Sequence, residues 1–432
     1  MVPEINLIGR LTFAEVLLLV YLPFGYAKFR SLRLKVPREV KVVLVLGALW
    51  LAACLVTDAI RQTPFSDFSR GASKIVFLLS NFLGLVFLTR CRFDRALKLM
   101  SFLFVAAALK LALGYSGDEL ADEVAGAGWK FGYGQFATAL VLLVASQLNR
   151  KAATRSLGIV LPFVIAGFSL LLNARNLTGL TALSGLVGLI TAGRRRSMSR
   201  KSIALVGLAG IAAGGAVFQV YAFSASAGWL GPEAKDKYEH QYSGDLNFLE
   251  AGRTEYLSSI PAVKDSPIIG HGSWARDMDY VVLRIARLEA AGIKVTGDPF
   301  RGDLIPTHSH LMGAWVEHGI LGAVFWIYIL WICGSAAVML LRRPSHLSGF
   351  LTFVVLSLVW DIFFSPFGLD RRIIDPAEIL LIILILPSFA GSRESHRKRV
   401  NHEILHRHDL VQSARVSGAR HPFGHQPVRG GH

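Results

Sequence analysis

Gly319-Ile-Leu-Gly-Ala-Val-Phe-Trp-Ile-Tyr-Ile-Leu-Trp-Ile-Cys-Gly-Ser-Ala-Ala-Val-Met-Leu-Leu341 is an apolar run with no charged residue. As a helix it rises about 1.5 Å per residue, enough to cross a hydrocarbon core of roughly 30 Å. Similar runs recur near 11–27, 42–60, 75–89, 97–114, 133–148, 157–173, 177–193, 202–222, 347–365 and 377–390. With 432 residues, 53% of them hydrophobic, and a mean hydropathy of +0.46, the chain is too apolar for an ordinary soluble enzyme. The expected fold class is an all-α polytopic membrane protein with about 11 transmembrane helices, in a range of roughly 10–12. The leader before residue 11 is short, nearly uncharged and lacks a small-residue cleavage site, so the first helix is expected to be retained.

Charge orients these helices. Lys and Arg concentrate in alternate loops, at 28–41, 90–98, 150–155, 194–201 and 342–343, and again in the tail after Gly391. The loops between them are nearly neutral or acidic, as in Ser116-Gly-Asp-Glu-Leu-Ala-Asp-Glu123. By the positive-inside rule the basic loops and tail are cytoplasmic, and the N-terminus lies outside. The net charge of +16 is then a topology signal. A nucleic-acid face would need its cations clustered on one soluble domain.

Four regions are expected: an N-terminal bundle at 1–222, a large periplasmic loop with short helices at 223–309, C-terminal membrane helices at 310–391, and a basic, histidine-rich tail at 392–432. Cys54, Cys91 and Cys333 fall in or beside membrane segments, which supports neither a disulfide framework nor a thiolate metal site. In the long loop, residues 252–261 suit a short helix stopped by Pro261. Residues 265–272 read as a turn, a brief extended piece and a glycine bend, and 278–291 as an amphipathic helix lying at the interface. Pro306 is expected to start the helix that carries His308.

The polar residues that stand out are basic. Arg175 sits at the turn between the sixth and seventh apolar runs, in Asn173-Ala-Arg-Asn-Leu-Thr-Gly179; Arg253 precedes Ser266-Pro-Ile-Ile-Gly-His-Gly272; His308 precedes Glu317-His-Gly-Ile-Leu-Gly322. In this order, and on one side of the bilayer, they resemble the signature of the bacterial O-antigen ligase and Wzy-type polymerase superfamily. In that signature an Arg at an outer turn is followed by an Arg shortly before a PLLGxG element. A His-Asn-x-x-Leu stretch and a Gly-rich helix start complete it. The resemblance covers roughly 150–345 in motif and the whole chain in hydropathy layout. Two positions depart from it: Ala-Arg-Asn stands for Ser-Arg-Gly, and Ser309 for Asn.

The resemblance implies a metal-independent, inverting glycosyltransferase without a cofactor. It would take a glycan from an undecaprenyl-diphosphate donor and attach it to an acceptor glycan hydroxyl. The acceptor would be lipid A-core in a ligase, or a second lipid-linked repeat unit in a polymerase. Such chemistry needs cations that grip a diphosphate, and Arg does so with a bidentate fork that stays charged. It also needs a base near neutral pH, which His supplies. Arg175 and Arg253 are therefore expected on the diphosphate and His308 on the acceptor, with Arg276, His310 and Glu317 as further substrate contacts.

Plainer readings stand beside these. Arg175 suits a headgroup anchor, Arg253 a salt bridge with Glu250 or Glu255, and Arg276 a solvated surface. His310, two residues from His308, faces away from it on a helix. A zinc site from His308 and His310 with His240 or His271 has no supporting spacing. Asp303 and Glu255 are alternative bases, and Gly270-His-Gly272 lacks the Gly-Lys-Ser/Thr of a nucleotide loop. Asp361 is expected to pair with an arginine near 370–372 or to serve proton coupling. The latter keeps a lipid-linked glycan flippase or secondary transporter as the alternative function. A partner of polysaccharide assembly without chemistry of its own is a third reading.

Overall fold

A computed structural model describes residues 5–6, 10–112, 128–192, 197–232, 235–236, 238–239, 253–293, 295, 302–369 and 371–387. Glu250, His240 and the tail at 392–432 lie outside the described residues, and so does most of 223–252. Among the described residues the fold is all-α, apart from a short hairpin pairing Ile5–Asn6 with Arg10–Leu11 and a single bridge between Arg276 and Leu304.

Eight helices come first: α1 (Phe13–Ser31), α2 (Arg38–Arg61), α3 (Phe65–Thr89), α4 (Phe93–Ala112), α5 (Gly134–Leu148), α6 (Arg155–Leu171), α7 (Arg175–Thr191) and α8 (Arg200–Ser226). Two shorter ones, α9 (Tyr256–Asp265) and α10 (Met278–Ala290), precede the long α11 (His310–Arg342) and α12 (Ser348–Phe364). A last helix, α13, runs over 371–387. Each apolar run singled out above overlaps one of the helices α1–α8 or α11–α13, with 113–114, 193 and 388–390 outside the described residues. Among the described residues, five stretches are long and apolar enough to cross a membrane: Arg38–Arg61, Phe65–Thr89, Ala152–Leu171, Arg200–Ser226 and His310–Arg342.

Burial separates the outer helices from the inner ones. On α8, Leu205, Leu208 and Ile211 are all more than 60% exposed. Leu17, Val20 and Phe24 of α1, and Val45 and Val56 of α2, also point outward. An apolar girdle of this extent is unstable in water and stable in lipid. By contrast α13 is buried on every side from Ile379 to Ile385, as befits a helix that is hydrophobic all round. Phe350, Val354 and Leu358 of α12 and Phe325, Trp326 and Ile329 of α11 are also buried.

Two local departures from expectation shape the site. First, α11 begins at His310, with Ser309 as its N-cap accepting from the Met312 N–H. His308 therefore precedes the helix, because the Ser309 hydroxyl caps it and the helix starts four residues later than Pro306. Second, Pro261 does not stop its helix and sits inside α9. A proline removes the hydrogen bond to the carbonyl four residues back. That carbonyl, on Leu257, accepts instead from Arg287 of α10 at 2.8 Å.

The helix α11 is broken at Gly319, with φ 68° and ψ −157°. The loop predicted as a glycine bend fills the break. His271 N–H donates to the Val316 carbonyl (2.8 Å), Gly272 N–H to Glu317 (2.9 Å), and Ile320 N–H to Ile268 (3.3 Å). A Cβ on Gly319 would lie 1.9 Å from the Ile268 carbonyl oxygen, and one on Gly270 would lie 2.7 Å from that of Glu317. Two glycines thus let two backbones touch, and this joins the long loop to the helix bundle.

Candidate functional site

The C-terminal end of α12 receives the start of α9 and the loop before α11, which carry Arg253 and His308. Tyr256, at the start of α9, donates its hydroxyl to the Phe363 carbonyl (2.6 Å), and Ser309 donates to Ile362 (2.8 Å). These two bonds fix α9 and the loop before α11 to the same turn of α12. Burial raises the Tyr256 phenol above its ordinary pKa, and Ser309 and Arg253 oppose the shift only in part. The phenol remains a donor across the physiological range.

Arg253 lies just before α9, half-buried, with its guanidinium 5.4 Å from the Phe364 ring and 5.8 Å from Trp360. Aromatic faces attract a cation without neutralising it. Arg253 has no carboxylate within ion-pair distance among the described residues. Arg175, first residue of α7, stands 4.7 Å over the ring of buried Tyr221 on α8. The left-handed backbone of Asn173 (φ 54°) turns the chain from α6 into α7 and delivers Arg175 there. Arg253 adds a weak like-charge repulsion at Arg175, behind the larger effects of burial and Tyr221. Two cations held together on aromatic rings form a site for a multivalent anion.

His308 is more than half exposed, and its Nδ1 is 3.7 Å from Glu255 Oε1. This is ion-pair distance, and a catalytic hydrogen bond commonly tightens from such a value once substrate binds. A carboxylate at Nδ1 favours a proton there and leaves Nε2 as the accepting nitrogen. Glu255, expected as a partner for Arg253 or as a base itself, instead faces the histidine. Arg253 and the loop carrying His308 are thus tied through Trp360, Phe364, Tyr256 and Ser309 to the end of α12, while Arg175 rests on Tyr221 of α8.

The other predicted contacts are engaged elsewhere. Arg276 bonds Asp67 (3.1 Å) and Asp303 (2.7 Å), and those carboxylates raise its pKa. Asp303, named as an alternative base, is therefore a salt-bridge partner. Glu317 binds Lys74 at 2.8 Å and accepts from the Trp274 N–H at 3.3 Å, which closes the loop over α3. His310 is buried, with Nδ1 on the Ser365 carbonyl (2.7 Å) and Nε2 on Asp375 (3.0 Å). His271 contacts the Ala262 carbonyl at 2.8 Å. Both ring nitrogens of His310 and one of His271 are thus taken.

A second polar knot lies beneath the glycine loop. Ser273 donates its hydroxyl to Asp58 Oδ2 and its N–H to Oδ1, both at 2.6 Å, while its Oγ sits 3.0 Å from His318 Nε2. Trp50 Nε1–H, which can only donate, reaches His318 Nδ1 at 3.0 Å. Neutral His318 thus carries its proton on Nε2 and donates to Ser273. Protons here run away from the serine's base, the reverse of a nucleophilic relay. Cys54, Asp58 and His318 lie close enough together to hold a metal ion, but the donors of Asp58 and His318 already serve this knot.

Sequence reasoning passed over Tyr221, Tyr256, Trp360 and Phe364. Their signal was weak, since aromatics are ordinary at membrane interfaces. No protein-family model matches this chain, and no curated protein matches it.

Proposed function

We propose that the chain is a bacterial inner-membrane glycosyltransferase of the O-antigen ligase or Wzy-type polymerase kind, with about eleven crossings and the 223–309 loop in the periplasm. Its donor is an undecaprenyl-diphosphate glycan. Its acceptor is a hydroxyl of a second glycan, either lipid A-core or another lipid-linked repeat unit. The observation that carries the reading is the half-buried Arg253, without a carboxylate partner among the described residues and beside Arg175. A charge so placed is costly until an anion joins it.

In the proposed step the acceptor oxygen attacks the anomeric carbon while the bond from that carbon to the diphosphate oxygen breaks. The bonding pair leaves with the diphosphate, where Arg175 and Arg253 stabilise the growing charge. The hydroxyl proton passes to His308 Nε2, and Glu255 steadies the resulting imidazolium. Attack opposite the leaving group inverts the anomeric centre, as the resemblance implies. Purified protein given an undecaprenyl-diphosphate oligosaccharide and an acceptor should form the joined glycan. Arg253→Ala should lower the rate at least about 100-fold, a loss typical of removing one transition-state contact, while the protein stays folded.

A second reading draws on the broken helix at Gly319 and on the buried acids around Asp361. Discontinuous helices and intramembrane carboxylates are features of secondary transporters and of flippases. Under that reading purified protein in vesicles moves the lipid-linked glycan across the bilayer and forms no glycosidic bond.

A further inference from the structure

Behind the turn of α12 that holds Tyr256 and Ser309 lies a set of buried ionisable side chains that the proposed transfer does not use. Asp361 of α12 is paired with Arg371 of α13, and its other oxygen accepts from the Ser365 hydroxyl at 2.6 Å. Asp375 of α13 meets His310 of α11. Glu378, one turn further along α13, is 1% exposed and makes no hydrogen bond among the described residues. Carboxyl oxygens of Asp361, Asp375 and Glu378 lie within 4.8 Å of one another.

Donor and acceptor identities fix part of the proton count. The Ser365 carbonyl can only accept, so His310 Nδ1 carries hydrogen. A neutral imidazole then presents a lone pair at Nε2, and an ionised Asp375 presents another. Two lone pairs at 3.0 Å repel, so a proton lies between them. It is bound either as imidazolium and carboxylate or as imidazole and carboxylic acid, and both pairs are neutral. Arg371 neutralises Asp361. The adjacent Arg372 is committed to Glu15 of α1 at 3.0 Å. Gln135 of α5 contacts Arg371, and Cys333 of α11 faces Glu378 without a positive charge to offer. Among the described residues Glu378 forms no ion pair of its own, Arg371 reaching it only through space while bonded to Asp361, and Asp375 Oδ1 has no donor.

We propose that this cluster is a proton-binding site inside the bundle, with one proton in the His310–Asp375 contact and a second on the Glu378 carboxyl. The second proton removes the isolated charge and turns Glu378 into a donor with two neighbouring carboxyl groups as acceptors. An ionised carboxylate in this apolar interior has no comparable stabilisation. A metal cation fits the oxygens less well, because the Arg371 guanidinium already occupies Asp361. The inference does not depend on glycan transfer, since it concerns occupancy of a site and is read without turnover.

Infrared spectroscopy of the full chain in nanodiscs tests it. The wild type at pH 7 should show a carboxylic-acid C=O band that shifts in D2O and on incorporation of ¹³C-carboxyl glutamate, and that disappears in Glu378→Gln. Labelling the wild type keeps the test independent of whether that variant folds. Added Na+, Mg2+ or Ca2+ should leave the band unchanged. Absence of the band, its survival in a folded Glu378→Gln protein, or its response only to aspartate label would overturn the proposal. Loss of the band on cation addition would make this a cation site and overturn it equally.

Discussion

Gly319→Ala should be among the most damaging single substitutions in the chain, and its cost can be worked from the contact. At φ 68° and ψ −157° the backbone is in a region entered almost only by glycine, where strain is about 1–3 kcal/mol. The new methyl would also meet the Ile268 carbonyl oxygen at 1.9 Å and its carbon at 2.4 Å. Both are backbone atoms that no rotamer change can move. Relief requires the loop to withdraw, which breaks the bonds from His271 N–H, Gly272 N–H and Ile320 N–H at about 1 kcal/mol each. The sum, about 4–6 kcal/mol, is a large part of a typical stability of roughly 5–15 kcal/mol. Thermal unfolding in detergent, followed by tryptophan fluorescence, should show a fall of about 5 °C. The control is Gly313→Ala, whose methyl meets only the Thr307 side chain at 3.5 Å and should leave the melting temperature nearly unchanged. A Gly319→Ala protein within about 1 kcal/mol of wild type would refute the reasoning that loop and helix are locked through this glycine.

Glu255→Gln should lower kcat of the transfer by about 10-fold or more and change KM for the lipid diphosphate little, because it acts through His308; steady-state kinetics at two substrate concentrations would separate the effects. Tyr256→Phe removes the 2.6 Å bond to the Phe363 carbonyl and should cost about 1 kcal/mol, read by thermal unfolding. His346, in the loop between α11 and α12, has its pKa lowered by burial and by Arg150 from the ordinary 6.5. The folded chain therefore resists a proton that the unfolded chain accepts. Its stabilising contribution is complete above about pH 6.5 and is lost as pH falls through the folded value. His346→Gln should flatten that part of a stability profile measured between about pH 7.5 and 5.

The membrane helices were legible because hydropathy acts over a whole segment, and run and helix coincide even where the ends differ by a few residues. The loop at 266–272 was legible as a bend through its glycines, but not as an insert into α11. Nothing local to Gly319 says which backbone will approach it. Pro261 misled for a similar reason: the carbonyl it leaves open is taken by Arg287, a partner 30 residues along the chain. Of the site residues predicted from charge and position, Arg253 and the loop carrying His308 lie at the end of α12, while Arg175 rests on Tyr221 of α8. Arg276 and Glu317 carried the same signal yet are spoken for by Asp67, Asp303 and Lys74, since charge alone does not disclose a partner. Asp361 was correctly expected to meet an arginine, which is Arg371. Glu378 and Glu15 were overlooked, although a carboxylate within an apolar run is itself a sign of a buried network.

The central claim concerns bond formation between glycans at Arg175, Arg253 and His308. The most direct measurement is single-turnover transfer by purified protein in nanodiscs, with an undecaprenyl-diphosphate oligosaccharide and a defined acceptor. The joined product should appear with wild type and with a Gly334→Ala control far along α11, where an added methyl meets nothing within 4 Å, and fall at least about 100-fold in folded Arg253→Ala and His308→Ala proteins. Equal product from those two variants, or none from active wild-type protein that instead moves the intact donor across the bilayer, would contradict the account.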